Sequence, residues 1–263
     1  MTQDSGLITA QLLSRILNLS VDTIQRYTRE NKIPYVRLEN KHYLYNLQEV
    51  MSALNLTPAV QEKETKYTGK TSKQYNYQDY LLVPEEPGYR FEVLEGELIK
   101  DPSPTTLHQF VSQSLFRKTC AYFEKADPGG FAVYSPLDVT LGEATVVQPD
   151  ILYIASDQRQ IIHDTRIDGA PTLVVEILSP STRRKDSISK LQIYQKAGVR
   201  HYWLVDPEAR TFHAFAWRDG VYSLAASGET NDIVEHPDFP GLLITLQDLW
   251  NIDQCAGLKP TKL

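Results

Sequence analysis

Two carboxylates, Asp150 and Glu176, each interrupt a run of apolar residues. Asp150 follows Gln148-Pro149 within the run from Val146 to Ile154, and Glu176 lies in the run from Thr172 to Leu178. A carboxylate in such a run must be neutralised, paired or bound to a cation, because an isolated buried charge is very unfavourable. A divalent cation keeps two neighbouring carboxylates ionised, and oxygen ligands suit Mg²⁺ or Mn²⁺. The pair therefore predicts a magnesium or manganese site.

A basic segment follows the Glu176 run. Asp186, Lys190 and Tyr194 are spaced four apart, which places them on one face of a helix predicted over residues 187–197. We expect Lys190 to supply the basic group near an attacking water. The residues directly before this helix form a basic cluster suited to phosphate: Arg183, Arg184 and Lys185.

The two apolar runs are rich in β-branched residues and have the length of strands covered on both faces. The patterns around them predict two helices, a short one near 76–82 and a long one over 106–124. They also predict two hairpins, 89–94 with 97–100 and 212–217 with 221–224, and further strands at 131–134, 137–141 and 201–205. Strands flanked by two substantial helices predict an α/β or α+β domain with a mixed sheet.

Residues 1–56 form a separate small unit in this interpretation. Thr9 is a predicted cap for a helix over 10–17, and Ser20 for a second helix over 21–30. A two-stranded hairpin follows over 33–45, and Asn46 with Glu49 predicts the start of a last helix through Leu54. Two short helices joined by a tight turn are the helix-turn-helix arrangement.

This unit resembles the winged helix-turn-helix of MerR-type regulators and excisionases in Thr9-Ala10, in the segment 19–27 and in Lys32-Ile33-Pro34. The resemblance implies that the following residues bind DNA, the first four in the major groove and the last two on phosphates: Thr23, Gln25, Arg26, Arg29, Arg37 and Lys41. The alternative is a protein-interaction module with a solvated polar face. Residues 57–70 are polar without periodicity and predict a flexible linker to a second domain, residues 71–263.

The second domain carries several motifs in order: Gln148-Pro149-Asp150-Ile151, the segment 175–182, Asp186, Lys190, Tyr194, Gly198 and the segment 202–207. Together they resemble the Uma-type family of putative restriction endonucleases, in the PD-(D/E)XK nuclease superfamily. The segment 91–98 and Pro102-Ser103-Pro104 before His108 also fit, so the resemblance covers most of residues 71–250.

The resemblance implies a restriction-endonuclease-like mixed sheet flanked by helices, and Mg²⁺-dependent hydrolysis of phosphodiester bonds in double-stranded DNA. Asp150, Glu176 and the Ile177 carbonyl would hold the metal, and Lys190 would orient the nucleophile or neutralise the transition state. Glu92 would complete the acidic site or bind a second metal, and His108 would support a metal ligand without touching the metal or would position phosphate. A homodimer is a further expectation from the resemblance.

The chain departs from the resembling pattern at two positions. The superfamily lysine is expected two residues after Glu176, where this chain has Leu178, so Lys190 must supply the charge from the helix. His201 replaces an expected acidic residue, and no role is assigned to it.

Other interpretations of the same residues stay open. Asp150 could cap a turn, and Glu176 could form a structural ion pair with Lys190 or Arg183. Lys190 could be a solvated helix lysine, and the remaining candidates have ordinary roles too: a satisfied helix histidine for His108, a water-facing strand position for Glu92 and packing for Tyr194.

The chain as a whole could be a DNA-binding regulator of a mobile element with a degenerate nuclease domain, or a hydrolase of another phosphoester.

Bulk properties limit these functions. The net charge of −6 gives no global basic signature for nucleic acid, so DNA contacts depend on local patches. Cys120 and Cys255 are far apart and lack zinc spacing, which favours reduced structural thiols. We see no signal peptide and no apolar run long enough to span a membrane. The resulting hypothesis is a cytoplasmic, two-domain, metal-dependent DNA endonuclease.

Overall fold

The computed structural model describes residues 7–17, 19–37, 43–54 and 74–251. Packing divides the chain into two compact units, residues 1–73 and 74–263, which are described separately. The predicted linker at 57–70, the tip of the N-terminal hairpin with Lys41, and Cys255 lie outside the described residues. In the described part of the chain, no helix is both long and apolar enough to cross a membrane.

The first unit contains three short helices and a small antiparallel sheet. Its elements are β1 Leu7–Thr9, α1 Ala10–Leu17, α2 Val21–Arg29, β2 Val36–Arg37, β3 Tyr43–Asn46 and α3 Leu47–Ala53. Strand β3 lies between β1 and β2 and pairs antiparallel with both. The three helices and the strands β2 and β3 occur where the sequence patterns predicted them, whereas β1 was not predicted.

Side-chain caps explain where these helices begin. Thr9 accepts a hydrogen bond from Leu12 N at 3.3 Å, Ser20 from Thr23 N at 3.0 Å, and Asn46 from Glu49 N at 3.2 Å. Each satisfies a backbone donor that the first turn leaves unpaired.

Helix α2 is held to the sheet through its buried face. Ile24 and Thr28 are buried, and the Thr28 hydroxyl hydrogen-bonds with Tyr45 Oη of β3 at 2.7 Å. The opposite face of α2 is polar and exposed at Asp22, Gln25, Arg26 and Arg29, whereas Thr23, also predicted to face outward, is half-buried.

The second unit contains two larger sheets and a two-stranded ribbon. Its strands are β4 Tyr89–Leu94, β5 Glu97–Pro102, β6 Phe131–Tyr134, β7 Asp138–Thr140, β8 Val146–Val147, β9 Ile151–Ile154, β10 Arg166–Asp168, β11 Leu173–Ile177, β12 His201–Asp206, β13 Thr211–Arg218, β14 Val221–Glu229, β15 Ile233–Glu235 and β16 Leu243–Thr245. Its helices are α4 Tyr77–Tyr80, α5 Thr106–Ala126, a 3₁₀ turn at Ser156–Ile161, a π-helical segment at Lys185–Lys190, α6 Leu191–Ala197 and α7 Gln247–Trp250.

Both larger sheets are mixed. The five-stranded sheet has the order β10-β7-β8-β4-β5, and the six-stranded sheet has the order β14-β13-β12-β11-β9-β6. Strands β11 and β12 are parallel, as are β10 and β7, and the other pairs are antiparallel. The β4–β5 hairpin turns at Glu95 and Gly96, whose φ angles of 49° and 89° suit the tight turn that joins twisted antiparallel strands.

The apolar run over 146–154 is not one strand, which corrects the sequence prediction. It supplies β8 to the smaller sheet and β9 to the larger one, with Gln148-Pro149-Asp150 passing between them. Pro149 has no N–H to donate to a ladder, so the pairing stops there. Asp150 consequently stands at the junction of the two sheets.

The basic helix also differs from its prediction. The chain is already helical at Arg183 rather than near 187; the π-helical segment Lys185–Lys190 follows, and α6 continues from it. The sequence patterns predicted none of the short elements at 156–161, 166–168, 233–235, 243–245 and 247–250.

Helix α5 covers one face of the larger sheet. Phe123 of α5 stacks on Tyr153 of β9 with ring centroids 3.6 Å apart, and Val111 and Leu115 belong to the same buried cluster as Val175. This packing fixes the helix across the sheet. The other end of α5 begins at the Thr105 cap, which accepts from His108 N at 3.2 Å.

Helix α6 is anchored through Tyr194. The Tyr194 ring contacts Tyr202 of β12 with centroids 4.9 Å apart, and both side chains are fully buried. The Tyr202 hydroxyl donates to Asp186 O at 2.9 Å, which ties the π-helical segment to the sheet as well. These contacts hold Lys190 against the strand that carries Glu176.

Candidate active site

Asp150 and Glu176 lie opposite each other on neighbouring strands. Val175 of β11 pairs with Ile151 of β9, so Asp150, one residue before β9, faces the Glu176 position. Only 2% of Asp150 and none of Glu176 is exposed. The predicted juxtaposition of the two carboxylates is therefore present in the structure.

Asp150 is held by groups from three other elements. Its Oδ2 accepts from Ile177 N at 2.8 Å and lies 3.0 Å from His108 Nε2. Its Oδ1 lies 3.4 Å from an Arg90 guanidinium nitrogen. Burial alone would raise the pKa of Asp150, but the hydrogen bond and charge of His108, with Arg90, hold it below its usual value.

Lys190 bridges two buried carboxylates. Its Nζ lies 2.7 Å from Glu92 Oε1 and 2.8 Å from Glu176 Oε1, and none of its side chain is exposed. Tyr194 donates its hydroxyl to the same Glu176 oxygen at 2.7 Å. Lys190 is therefore not a solvated helix lysine, and Tyr194 hydrogen-bonds within the site in addition to packing.

Glu92 is buried between two lysines instead of facing water. Besides Lys190, its Oε2 lies 2.7 Å from Lys185 Nζ, and its Oε1 accepts from Gln148 N at 2.9 Å. Burial would raise the pKa of Glu92, but the ammonium groups of Lys190 and Lys185 hold it well below its usual value. Glu92 thus stays ionised and links β4 to the turn that carries Asp150.

The pKa of Glu176 is shifted in the opposite direction from those of Glu92 and Asp150. Its pKa is raised to about 8, chiefly by burial; Lys190 opposes the shift, and the neighbouring charges of Asp186, Asp150 and Glu92 add to it. Its Oε2 is buried and has no hydrogen-bond partner within the described residues. An unsatisfied carboxylate oxygen of this kind is unfavourable unless a cation or a water meets it.

These donors fit a divalent cation. Two carboxylates face each other, one of them with an oxygen that no described group satisfies, and hard cations prefer oxygen ligands. The Ile177 carbonyl also lies on the side of β11 that faces Asp150, where it could act as a third oxygen ligand. A residue in a strand directs its N–H and C=O towards the same neighbour, and Ile177 N points at Asp150.

The structure adds Arg90 and Asp101 to this site and corrects the role predicted for Lys185. Arg90 contacts Asp150, and Lys185 contacts both Glu92 and Asp101, so Lys185 belongs to the carboxylate network rather than to an exposed phosphate-binding cluster. Asp186 lies 3.7 Å from Lys190 Nζ, in line with its four-residue spacing. Arg90 and Asp101 had no comparable signal, because alternation alone does not tell which face of a hairpin is buried.

The predicted phosphate-binding arginines lie apart from this network. Arg183 forms ion pairs with Asp206 at 2.6 Å and Glu208 at 3.3 Å, whereas Arg184 is exposed. In the first unit, Gln25, Arg26, Arg29 and Arg37 are exposed. Thr23 is half-buried there, and its hydroxyl hydrogen-bonds with Ser20 at 2.8 Å.

The second unit shares its fold with a solved structure. This is the crystal structure of a putative nuclease belonging to DUF820 from Anabaena variabilis, with a TM-score of 0.55 and 21% sequence identity over 67% of this chain and 97% of that chain. The second unit therefore has the same fold class as that structure. No curated protein matches the chain.

The sequence then identifies the family. The pattern of Uma2, described as "Putative restriction endonuclease", matches residues 77–247. The chain belongs to the Uma2 family, and this match confirms the family resemblance seen in the motifs around Asp150 and Glu176.

Proposed function

We propose that this protein is a divalent-metal-dependent endonuclease that hydrolyses phosphodiester bonds in double-stranded DNA. The observation that carries the proposal is the buried pair Asp150 and Glu176, with Lys190 on one oxygen of Glu176 and no described partner on the other. Family membership favours DNA as the substrate.

Asp150, Glu176 and the Ile177 carbonyl would hold Mg²⁺ or Mn²⁺. Such a cation, when bound, supplies Lewis-acid stabilisation of charge on phosphate oxygens and activates a water. The donor set is oxygen only, which matches a hard cation.

The remaining residues of the site would orient these ligands and compensate charge. His108 and Ile177 N fix one oxygen of Asp150, so its carboxylate keeps one orientation. Lys190 favours the ionised form of Glu176 and would place a positive charge beside the attacking water. Arg90 is 14% exposed and would be the cation best placed to meet a phosphate.

The first unit would bring the nuclease to DNA. Exposed Gln25, Arg26 and Arg29 lie on the polar face of α2, opposite its buried face, which is the arrangement a recognition helix needs. Arg37 would contact phosphate, and Thr23, Lys41, Arg183 and Arg184 remain predicted DNA contacts. Tethering a nuclease to a DNA-binding unit raises its effective concentration near bound sites. The homodimer and the cytoplasmic location remain predictions.

One observation favours a second candidate function. Position 178 is leucine, and the substitute Lys190 is fully buried in an ion-paired network with Glu92 and Glu176. A closed network of this kind also suits a degenerate nuclease fold that serves a DNA-binding regulator.

Nicking of supercoiled plasmid by the purified full chain separates the two functions. We expect cutting in Mg²⁺ or Mn²⁺ that EDTA abolishes, and a loss of at least about 100-fold in Asp150→Asn. The matched control is Asp157→Asn, which makes the same chemical change at an exposed position and should cut like the parent. If the folded parent does not cut with either metal, the regulator function is favoured instead.

A further inference from the structure

Three side chains far from the carboxylate site bring metal-binding atoms together. One nitrogen each from His201 and His236 and one carboxylate oxygen of Asp238 all lie within 4.8 Å of one another. His201 begins β12, whereas His236 and Asp238 follow β15 in the segment that leads to β16. The cluster therefore joins β12, one of the two central strands of the larger sheet, to the C-terminal ribbon.

This cluster is separate from the carboxylate site. His201 pairs with Leu173, whereas Glu176 pairs with Leu204, which is three residues further along β12, or about 10 Å. Side chains alternate across a strand, so His201 and Leu204 also point to opposite faces of the sheet. A ligand at the cluster would not contact Asp150 or Glu176.

The cluster contains a buried nitrogen without a partner. His201 is 7% exposed, and its Nδ1 has no hydrogen-bond partner within the described ranges. The nearest carboxylate oxygen, Asp238 Oδ2, is 3.7 Å away. That distance is too long for a hydrogen bond, but two ligands of a single zinc ion, each about 2.0–2.1 Å from it, are about 3–4 Å apart.

His236 completes the cluster. It is 1% exposed, its ring lies 5.1 Å from that of His201, and both rings pack against Phe239 at 4.9 and 4.6 Å. Its Nδ1 accepts from Asp238 N at 3.0 Å, and its Nε2 is buried without a hydrogen-bond partner among the described residues. Burial lowers the pKa of each histidine to about 4, so both are neutral near pH 7, as metal ligands must be.

The ligand set points to a transition metal. Arg218 pairs with Asp238 through the same oxygen, Oδ2, and 30% of the Asp238 side chain is exposed, so a cation at this oxygen would share the carboxylate with Arg218. Imidazole nitrogens favour zinc and its neighbours over magnesium, which prefers oxygen. We propose that His201, His236 and Asp238 form a second metal site, which takes Zn²⁺ and fastens the C-terminal ribbon to β12. Three protein ligands would leave a fourth position for water.

Zinc titration of the metal-free full chain by isothermal calorimetry, in excess Mg²⁺ to occupy the carboxylate site, tests this proposal. We expect about one equivalent of zinc to bind, with affinity weakened at least about tenfold in Asp238→Asn and in His236→Gln. Zinc should also raise the midpoint of thermal unfolding of the parent but not of these variants.

Two controls make the result specific. Asp157→Asn and Glu176→Gln should both bind zinc like the parent, because neither residue belongs to the cluster. The proposal is overturned if the folded parent binds no zinc, if Asp238→Asn binds it as well as the parent, or if Glu176→Gln is the variant that loses it. Asp238 is partly exposed, so its variant carries the test even where His236→Gln fails to fold.

Discussion

Replacing Lys190 with methionine removes the ammonium group that bridges Glu92 and Glu176 and keeps a side chain of similar length. Removing one partner of a buried ion pair typically destabilises a protein by about 3–5 kcal/mol, because the other charge stays buried. Glu92 retains Lys185 at 2.7 Å, and Glu176, whose pKa is already raised to about 8, can take up a proton. Both effects reduce the loss, so we expect the lower end, about 3 kcal/mol at pH 7.5.

A double-mutant cycle with Glu176→Gln tests the origin of this loss. Glu176→Gln alone leaves Lys190 with Glu92 at 2.7 Å and Asp186 at 3.7 Å, so its effect should be smaller, about 1–2 kcal/mol. Because Lys190 and Glu176 touch at 2.8 Å, the double variant should be less destabilised than the sum of the singles, by at least about 1 kcal/mol.

Urea unfolding in EDTA, followed by tryptophan fluorescence, measures these values in the full chain. The three tryptophans of the protein are at positions 203, 217 and 250, so the signal reports the second unit alone. A Lys190→Met loss below about 0.5 kcal/mol, or single effects that simply add, would refute the buried ion-pair network.

Three further predictions follow from other contacts. His108→Ala should reduce plasmid cutting about 10–100-fold at fixed Mg²⁺, because Asp150 loses its imidazole partner; unchanged cutting would contradict this role. Acid should destabilise the metal-free protein between pH 6.5 and about 4, where unfolded histidines bind protons and folded His201 and His236 do not. The free energy of unfolding should fall by up to about 1.4 kcal/mol per pH unit for each histidine. This dependence on pH should be weaker in the His201→Gln/His236→Gln double variant, and an equal dependence in the variant and the parent would contradict the prediction. The double variant Arg26→Gln/Arg29→Gln should bind duplex DNA with a weaker salt dependence. The slope of the logarithm of the binding constant against the logarithm of the salt concentration, measured by fluorescence anisotropy, should be smaller in magnitude by about two.

The residues of the carboxylate site could be predicted to different degrees from the sequence. Asp150 and Glu176 could be identified because a charged residue within an apolar run will be buried and will need a partner, whatever the position of its strand in the sheet. Lys190 followed from its spacing to Asp186 and Tyr194, which survives the π-helical start of the helix. Family motifs added Glu92 and His108, whose partners come from distant elements and cannot be read from local patterns.

Other features depend on packing that a single sequence does not encode locally. The composition of 146–154 does not reveal that the segment divides into β8 and β9, because both strands are equally buried and equally apolar. Lys185 resembled its neighbours Arg183 and Arg184, yet it alone reaches Glu92 and Asp101. The partners of His201 are in a segment for which the sequence predicted no strands, so its proximity to His236 had no sequence signal.

The position of a bound cation tests the central claim most directly. Crystals of the full chain with a short DNA duplex and Mn²⁺, measured for anomalous scattering, should show a peak beside Asp150 and Glu176. Crystals of the Glu176→Gln variant should lack that peak, whereas those of Asp157→Asn should keep it. Manganese bound elsewhere only, or an unchanged peak in Glu176→Gln, would contradict the assignment of this site as the metal centre of a nuclease.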